Sequence, residues 1–231
     1  MGQCRILSDS SDSFENRTEA GRLLAGELKS YEGKNPVVLG IPRGGLIPAR
    51  EIANALSGEL DVILAHKLGA PGNPELAIGA VVEGGKVFVD EDLLSRMGES
   101  SEYIQDEKNI QMEVIEKRAG AYRAILPRVP LKGRIVIVTD DGAARGLTMM
   151  AALWAIRHDK PQKLICALPV APPDTAERLS QYADEVLCLR APEDFQALGQ
   201  FYLRFDQVDD AEVLDILKQE AQKKHRIKGN K

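Results

Sequence analysis

The segment Arg134-Ile-Val-Ile-Val-Thr-Asp140-Asp141-Gly142-Ala143-Ala144-Arg145-Gly146-Leu147-Thr148 sets two adjacent carboxylates between an apolar run and a small-residue loop. The apolar run reads as a strand and Leu147 onward as a helix, so the acids stand at a strand's carboxyl end, where α/β folds place ligands. Gly142 to Gly146 form a loop whose backbone N–H groups can approach an anion. The dipole of the following helix favours a phosphate there. Two carboxylates beside such a cup need a partner that supplies donors or cations. A sugar diol does so, each of Asp140 and Asp141 accepting from a hydroxyl, with a magnesium ion nearby. Phosphate plus vicinal diol describes a ribose phosphate. The plainer alternative is a strand–turn–helix with two exposed acids.

Two other loops could serve the same chemistry. Ile41-Pro42-Arg43-Gly44-Gly45 follows a buried strand, and its glycines permit close approach of a ligand; a plain turn with a surface arginine is the alternative. His66-Lys67-Leu68-Gly69 ends another strand, where a lysine would neutralise a departing anion, or would simply be solvated. His66 reads as a packed strand residue, and no His pair has metal-ligand spacing.

These loops need an alternation of strands and helices to hold them. Strands are expected at Pro36 to Ile41, Asp61 to His66, Arg134 to Thr139, Lys163 to Leu168 and Glu185 to Leu189. Helices are expected at Arg17 to Ser30, Ile47 to Leu56, Leu147 to His158, Pro173 to Tyr182 and Asp209 to Lys224. Residues 8 to 13 read as a solvated lead-in or helix start, and 69 to 76, with two Pro and two Gly, as irregular. Ile78 to Val82 and Lys86 to Val89 read as a hairpin, followed by a long polar helix from Ser101 to Arg123. The result is an α/β fold with a mainly parallel sheet flanked by helices. One domain is expected over 1–231, with a hairpin-plus-helix hood inserted at about 77–125 and a basic tail at 223–231.

Composition narrows the classes. The chain has 231 residues, 44% of them apolar, enough for one substantial core. A net charge of −5 argues against bulk binding to nucleic acid or anionic membrane. Cys4, Cys166 and Cys188 form no CxxC pair, so a disulfide framework and a structural zinc are not expected. No apolar stretch approaches the roughly 18 residues a membrane helix needs. The expected compartment is the cytoplasm.

The acid-pair segment resembles the signature of the type I phosphoribosyltransferases: hydrophobic residues, two acids, a short loop and Gly-x-Thr. It departs where Ala144 and Arg145 replace the usual Thr or Ser and where Gly142 replaces a branched residue. The runs Pro42-Arg-Gly-Gly45, Lys67-Leu-Gly-Ala-Pro-Gly-Asn-Pro-Glu-Leu-Ala-Ile-Gly-Ala-Val81 and Leu168-Pro-Val-Ala-Pro-Pro173 resemble one branch whose members have no assigned acceptor, over about Phe14 to Leu217. The resemblance implies transfer of ribose 5-phosphate from phosphoribosyl pyrophosphate to a nitrogen acceptor, a nucleobase or related amine. Asp140 and Asp141 would hold the ribose hydroxyls. Gly142, Ala143, Ala144, Arg145, Gly146 and Thr148 would anchor the 5-phosphate. Arg43, Gly44, Gly45 and Lys67 would meet the pyrophosphate, the first of these loops often containing a non-proline cis bond. Magnesium would be carried by the pyrophosphate and ribose hydroxyls, without a direct protein ligand. A homodimer is implied by analogy. Asn73 and Glu75 would lie over the sugar, or belong to a structural loop. Phe195 would stack on a base or, more simply, close the hood. Ala143 and Ala144 lack the acid that serves as general base in purine enzymes. A non-catalytic ribose-phosphate sensor and a phosphate-ester or pyrophosphate hydrolase are the competing readings.

Overall fold

The computed structural model describes residues 2–90, 94 and 101–229. In chain order its elements are β1 (Gln3–Ile6), α1 (Arg17–Glu27), β2 (Val37–Gly40), α2 (Leu46–Ala55), β3 (Glu59–Val62), β4 (Ala65–Ala70), β5 (Asn73–Val82), β6 (Val87–Val89) and α3 (Ser101–Ile125). There follow β7 (Ile135–Thr139), α4 (Leu147–Arg157), β8 (Lys163–Val170), α5 (Pro173–Leu179), β9 (Glu185–Arg190) and α6 (Asp210–Gly229). Six strands form a wholly parallel sheet in the order β1-β9-β8-β7-β2-β3. Helices flank this parallel sheet, and a smaller antiparallel sheet, β4-β5-β6, lies beside it.

The parallel strands are apolar on both faces because helices cover both. Val38, Ile137, Ile165 and Leu187 face one core, shared with Leu24, Leu46, Ile52 and Leu217. Their neighbours Leu39, Val136, Val138, Cys166 and Cys188 face the other, with Leu147, Leu153, Ile156 and Leu179. Cys166 and Cys188 are buried free thiols, as their apolar surroundings lead one to expect.

Three expectations need correction. A strand at Gln3–Ile6 was not foreseen; it pairs with β9 at the sheet's edge, Cys4 opposite Val186, and lies before the polar lead-in. The single strand expected over 61–66 is two. Val62 to Ala65 are all buried, so an unbroken apolar run conceals the point where the chain leaves the parallel sheet. His66 and Lys67 therefore belong to the second sheet. Residues 69–76 are mostly strand: β4 and β5 pair around a turn at Pro71-Gly72, with register shifts at Gly69. Pro74 is tolerated because β5 pairs with β6 only farther along, at 79–81. The second sheet thus begins at Ala65, before the expected hood boundary, and α3 lies after it in the chain, as the hairpin-plus-helix pattern anticipated.

Candidate functional site

The strand order reverses between β7 and β2. From β2 the chain moves outward to β3, and from β7 it moves the other way through β8 to β9. A parallel sheet opens a crevice at such a point, outside the carboxyl ends of the strands. Gly40 stands opposite Thr139, and the Ile41 amide donates to the Thr139 carbonyl at 3.0 Å. The Pro-Arg-Gly-Gly loop and the acid-pair loop therefore leave the sheet side by side.

Their contact is close. The Pro42–Arg43 peptide is cis. A Cβ on Gly44 would stand 2.0 Å from Asp141 Oδ2, and one on Gly45 2.7 Å from Asp140 Oδ1, so no larger residue fits without moving the acids. Asp140 Oδ1 accepts the Asp141 amide at 2.8 Å, and Asp141 Oδ2 accepts Arg17 Nε–H at 2.6 Å. Beyond these two bonds no N–H or O–H donor among the described residues reaches either carboxyl group, and the two carboxyl groups lie within hydrogen-bond distance of each other. Burial, then the charge of Asp141, pushes the Asp140 carboxyl well above the usual carboxylate range, against the pull of the Asp141 amide and Arg17.

The next residues form a cup. The Ala143 amide is spent on the Val170 carbonyl at 3.0 Å, and Thr175 Oγ1 donates to the Ala144 carbonyl at 2.8 Å. These two bonds fix the loop to β8 and α5. Gly146 turns into α4 at φ +72°, and the first helical bond runs from Met150 N–H to the Gly146 carbonyl. No hydrogen bond among the described residues uses the amides of 144–149. Free amides at a helix start are an anion site. A cavity of about 270 Å³ opens there, lined by Lys67, Ala77, Asp140 and residues 142–149.

Of the residues singled out by sequence, Lys67, Asp140, Gly142, Ala143, Ala144, Arg145, Gly146 and Thr148 line this one cavity. Arg145 Nη1 also donates to the Ala77 carbonyl at 3.2 Å. Asp141, Gly44 and Gly45 stand behind Asp140. The Arg43 guanidinium does not line the cavity; it lies within electrostatic reach of Tyr122 on α3. Phe195 rests on Phe201, centroids 4.9 Å apart. Asn73 is exposed near the β4–β5 turn, and the side chain of Glu75 lies outside the described residues.

Sequence reasoning missed Arg17, Tyr202 and Phe205. Arg17 opens α1 after the Asn16 cap, whose side chain accepts from the Glu19 amide at 3.0 Å. Its Nη1 donates to the Asp206 carbonyl at 2.8 Å, and its guanidinium lies 3.8 Å over the Phe205 ring. Phe205 stacks on Tyr202, whose hydroxyl donates to the Asp141 carbonyl at 2.6 Å. The one signal for this clasp was the gathering of scarce aromatics at 195–205.

The model of the family described as "Phosphoribosyl transferase domain" matches residues 11–206. The chain belongs to the phosphoribosyl transferase domain family. "Putative phosphoribosyl transferase Rv0571c" of Mycobacterium tuberculosis H37Rv is 40% identical over 204 residues, 88% of this chain and 46% of that protein. The chain thus spans about half the length of the curated mycobacterial relatives it matches. Hypoxanthine-guanine phosphoribosyltransferase of Lactococcus lactis is 26% identical over 145 residues, 59% of this chain and 73% of that one. The crystal structure of TT1426 from Thermus thermophilus superposes with a TM-score of 0.77 at 44% identity, covering 90% of this chain and 98% of that one. The phosphoribosyl transferase domain match includes both loops, the acid pair and the Arg17 clasp; α6 lies beyond it.

A larger cavity, about 610 Å³, lies at the amino end of the sheet beside Asn35, Gly58 and Glu59. It shares no lining residue with the cavity beside the acid pair. Among the described residues no group of three or more His, Cys, Asp or Glu could hold a metal, and no helix is long and apolar enough to cross a membrane.

Proposed function

We propose that this chain transfers ribose 5-phosphate from phosphoribosyl pyrophosphate to a nitrogen acceptor, a nucleobase or related amine, and releases pyrophosphate. The observation that carries this reading is the single cavity joining unused amides at 144–149 to Asp140 and Lys67 at the sheet's reversal point. The amides and Arg145 hold the 5-phosphate. Asp140 and Asp141 accept from the ribose hydroxyls. The bond from C1 to pyrophosphate breaks early, leaving an oxocarbenium-like sugar that the acid pair stabilises. Lys67 and Arg43 take up charge on the leaving group. The acceptor nitrogen then bonds to C1, and its proton passes to solvent. Apart from Asp140, the described lining of the cavity has no side-chain base, so the acceptor brings its own nucleophilic nitrogen.

Magnesium, when bound, neutralises pyrophosphate. The donor set suits an ion carried by the substrate: one of the two acids is already paired with Arg17, and no cluster of three ligands stands near it among the described residues. The cytoplasm, which keeps buried Cys166 and Cys188 as thiols, is the compartment we propose.

The replacement of hydroxyl residues by Ala144 and Arg145 favours one second reading, a ribose-phosphate sensor without turnover. Protein, magnesium and phosphoribosyl pyrophosphate mixed with a panel of nucleobases and small amines decide between them. Pyrophosphate release that depends on the acceptor supports the transferase. Binding without release supports the sensor, and release without acceptor supports a hydrolase. Asp140→Asn is expected to lower transfer at least tenfold; unchanged donor affinity and activity would remove the acid pair from the site.

A further inference from the structure

Arg17 makes the closest side-chain contact to the acid pair among the described residues. Its side chain and that of Asp141 are 10% and 12% exposed, and they meet at 2.6 Å. Two further contacts fix the guanidinium, the Asp206 carbonyl at 2.8 Å and the Phe205 face at 3.8 Å, and a Cβ on Gly44 would stand 3.1 Å from Arg17 Nε, so glycine there leaves room for it. The side chain thus reaches from α1 to Asp141 and is held by the segment after Phe201. The main chain of Asp141 is held as well, through the Tyr202 hydroxyl.

This arrangement bears on which oxygens a ligand meets. Two adjacent ionised carboxylates repel, and left alone each would rotate to share whatever cation is near. Here Asp140 Oδ1 is tied to the Asp141 amide and Asp141 Oδ2 to Arg17. The other oxygen of each acid receives no N–H donor among the described residues. A vicinal diol has two hydroxyls, each donating once. A planar guanidinium anchored at two nitrogens and stacked on a ring fixes orientation in a way an ammonium cannot.

We infer that Arg17 is a positioning residue that ties back one oxygen of Asp141 so that the acid pair presents one oxygen from each acid to the two ribose hydroxyls. This rests on the ribose-phosphate reading above. The residue touches no ligand itself and acts through Asp141.

The test measures binding by calorimetry of ribose 5-phosphate, its 2-deoxy and 3-deoxy analogues, and inorganic phosphate, to the full chain and to Arg17→Gln and Arg17→Lys. A hydrogen bond to a charged acceptor is worth about tenfold or more in affinity. The unaltered chain is therefore expected to disfavour each deoxy analogue by about that factor. In Arg17→Gln the penalty for at least one deletion is expected to fall below about threefold, while affinity for inorganic phosphate, set by the amide cup, stays within about twofold. In Arg17→Lys the penalty is expected to be intermediate. A purely structural loss would weaken phosphate and sugar alike and leave the preference between sugars intact, which overturns the inference. If Arg17→Gln does not fold, Arg17→Lys decides alone, and an undiminished preference there overturns it too. Failure of the unaltered chain to bind ribose 5-phosphate would instead remove the ribose-phosphate reading, a distinct result.

Discussion

Asp140 and Asp141 are chain neighbours with opposite surroundings: one looks into a cavity beside Lys67, the other is clasped by Arg17. Glycine makes that difference possible. Gly44→Ala would put a methyl 2.0 Å from Asp141 Oδ2, so the acid or the loop must shift. Crowding of this kind costs about 1–3 kcal/mol. The expected outcome is a loss of that size in urea unfolding and at least tenfold weaker binding of phosphoribosyl pyrophosphate; unchanged affinity would show that Asp141 geometry does not matter to the donor. At this scale the sequence was informative where chemistry is local. The acid pair, the small-residue loop and Gly44-Gly45 each announce themselves within a few residues. Arg17 does not, because it meets Asp141 only after the chain has returned from 124 residues away, and an arginine opening a helix reads as solvated.

Helix α3 shows how an element can be recognised and its attachments missed. Its sequence is polar, yet Ile115 and Tyr122 are buried, and Arg123 reaches Asp61 at 2.5 Å and Glu83 at 2.8 Å. Asp61 is 1% exposed and also accepts the Val62 and Val129 amides. Arg123→Leu leaves that carboxylate buried without its cation, so a loss of about 3–5 kcal/mol is expected in denaturant unfolding. A loss under about 1 kcal/mol would mean the amides alone suffice. A second attachment responds to pH. Arg118 donates to His66 Nε2 at 2.7 Å, which leaves Nδ1 to donate to Gln111 Oε1 at 3.1 Å. Burial, reinforced by the Arg118 charge, holds His66 below its ordinary value of 6.5. The unfolded chain therefore takes the proton first. The His66 contribution to stability is present above pH 6.5 and is lost as pH falls below it. Between about pH 7.5 and 5.5 the melting temperature should fall more steeply for the unaltered chain than for His66→Gln; parallel slopes would exclude His66 as the cause. Strand boundaries were harder to read than strand existence. β2 and β7 are apolar runs with polar limits, whereas β3 and β4 are joined by buried residues, and only the change of sheet separates them.

Across the whole molecule, the net charge of −5 conceals a local concentration of cations. Lys67 and Arg145 line a cavity that also offers the amides of 144–149, and its one lining carboxyl among the described residues, Asp140, is raised by burial. The parallel sheet is responsible: it aims every strand's carboxyl end the same way and reverses order between β7 and β2, so residues far apart in sequence arrive at one opening. Such a site must couple ligand binding to the stability of the entire domain, since its walls come from β4, β5, the loop after β7 and α4, and the acid pair is backed by the loop after β2 and, through Arg17, by α1. A ligand at about 100 times its Kd stabilises the folded state by about 2.7 kcal/mol. For a domain of this size that corresponds to a rise in Tm of about 5–10 °C. Phosphoribosyl pyrophosphate with magnesium should produce that rise, and inorganic phosphate a smaller one that fades with added salt as screening grows. Arg145→Ala should reduce the response to both ligands, because it removes a cation that lines the same cavity as the free amides, while leaving the Tm without ligand within about 2 °C, as expected for an exposed side chain. An undiminished phosphate response in Arg145→Ala would place the anion away from the loop that follows the acid pair, and the assignment of the cup would fall with it.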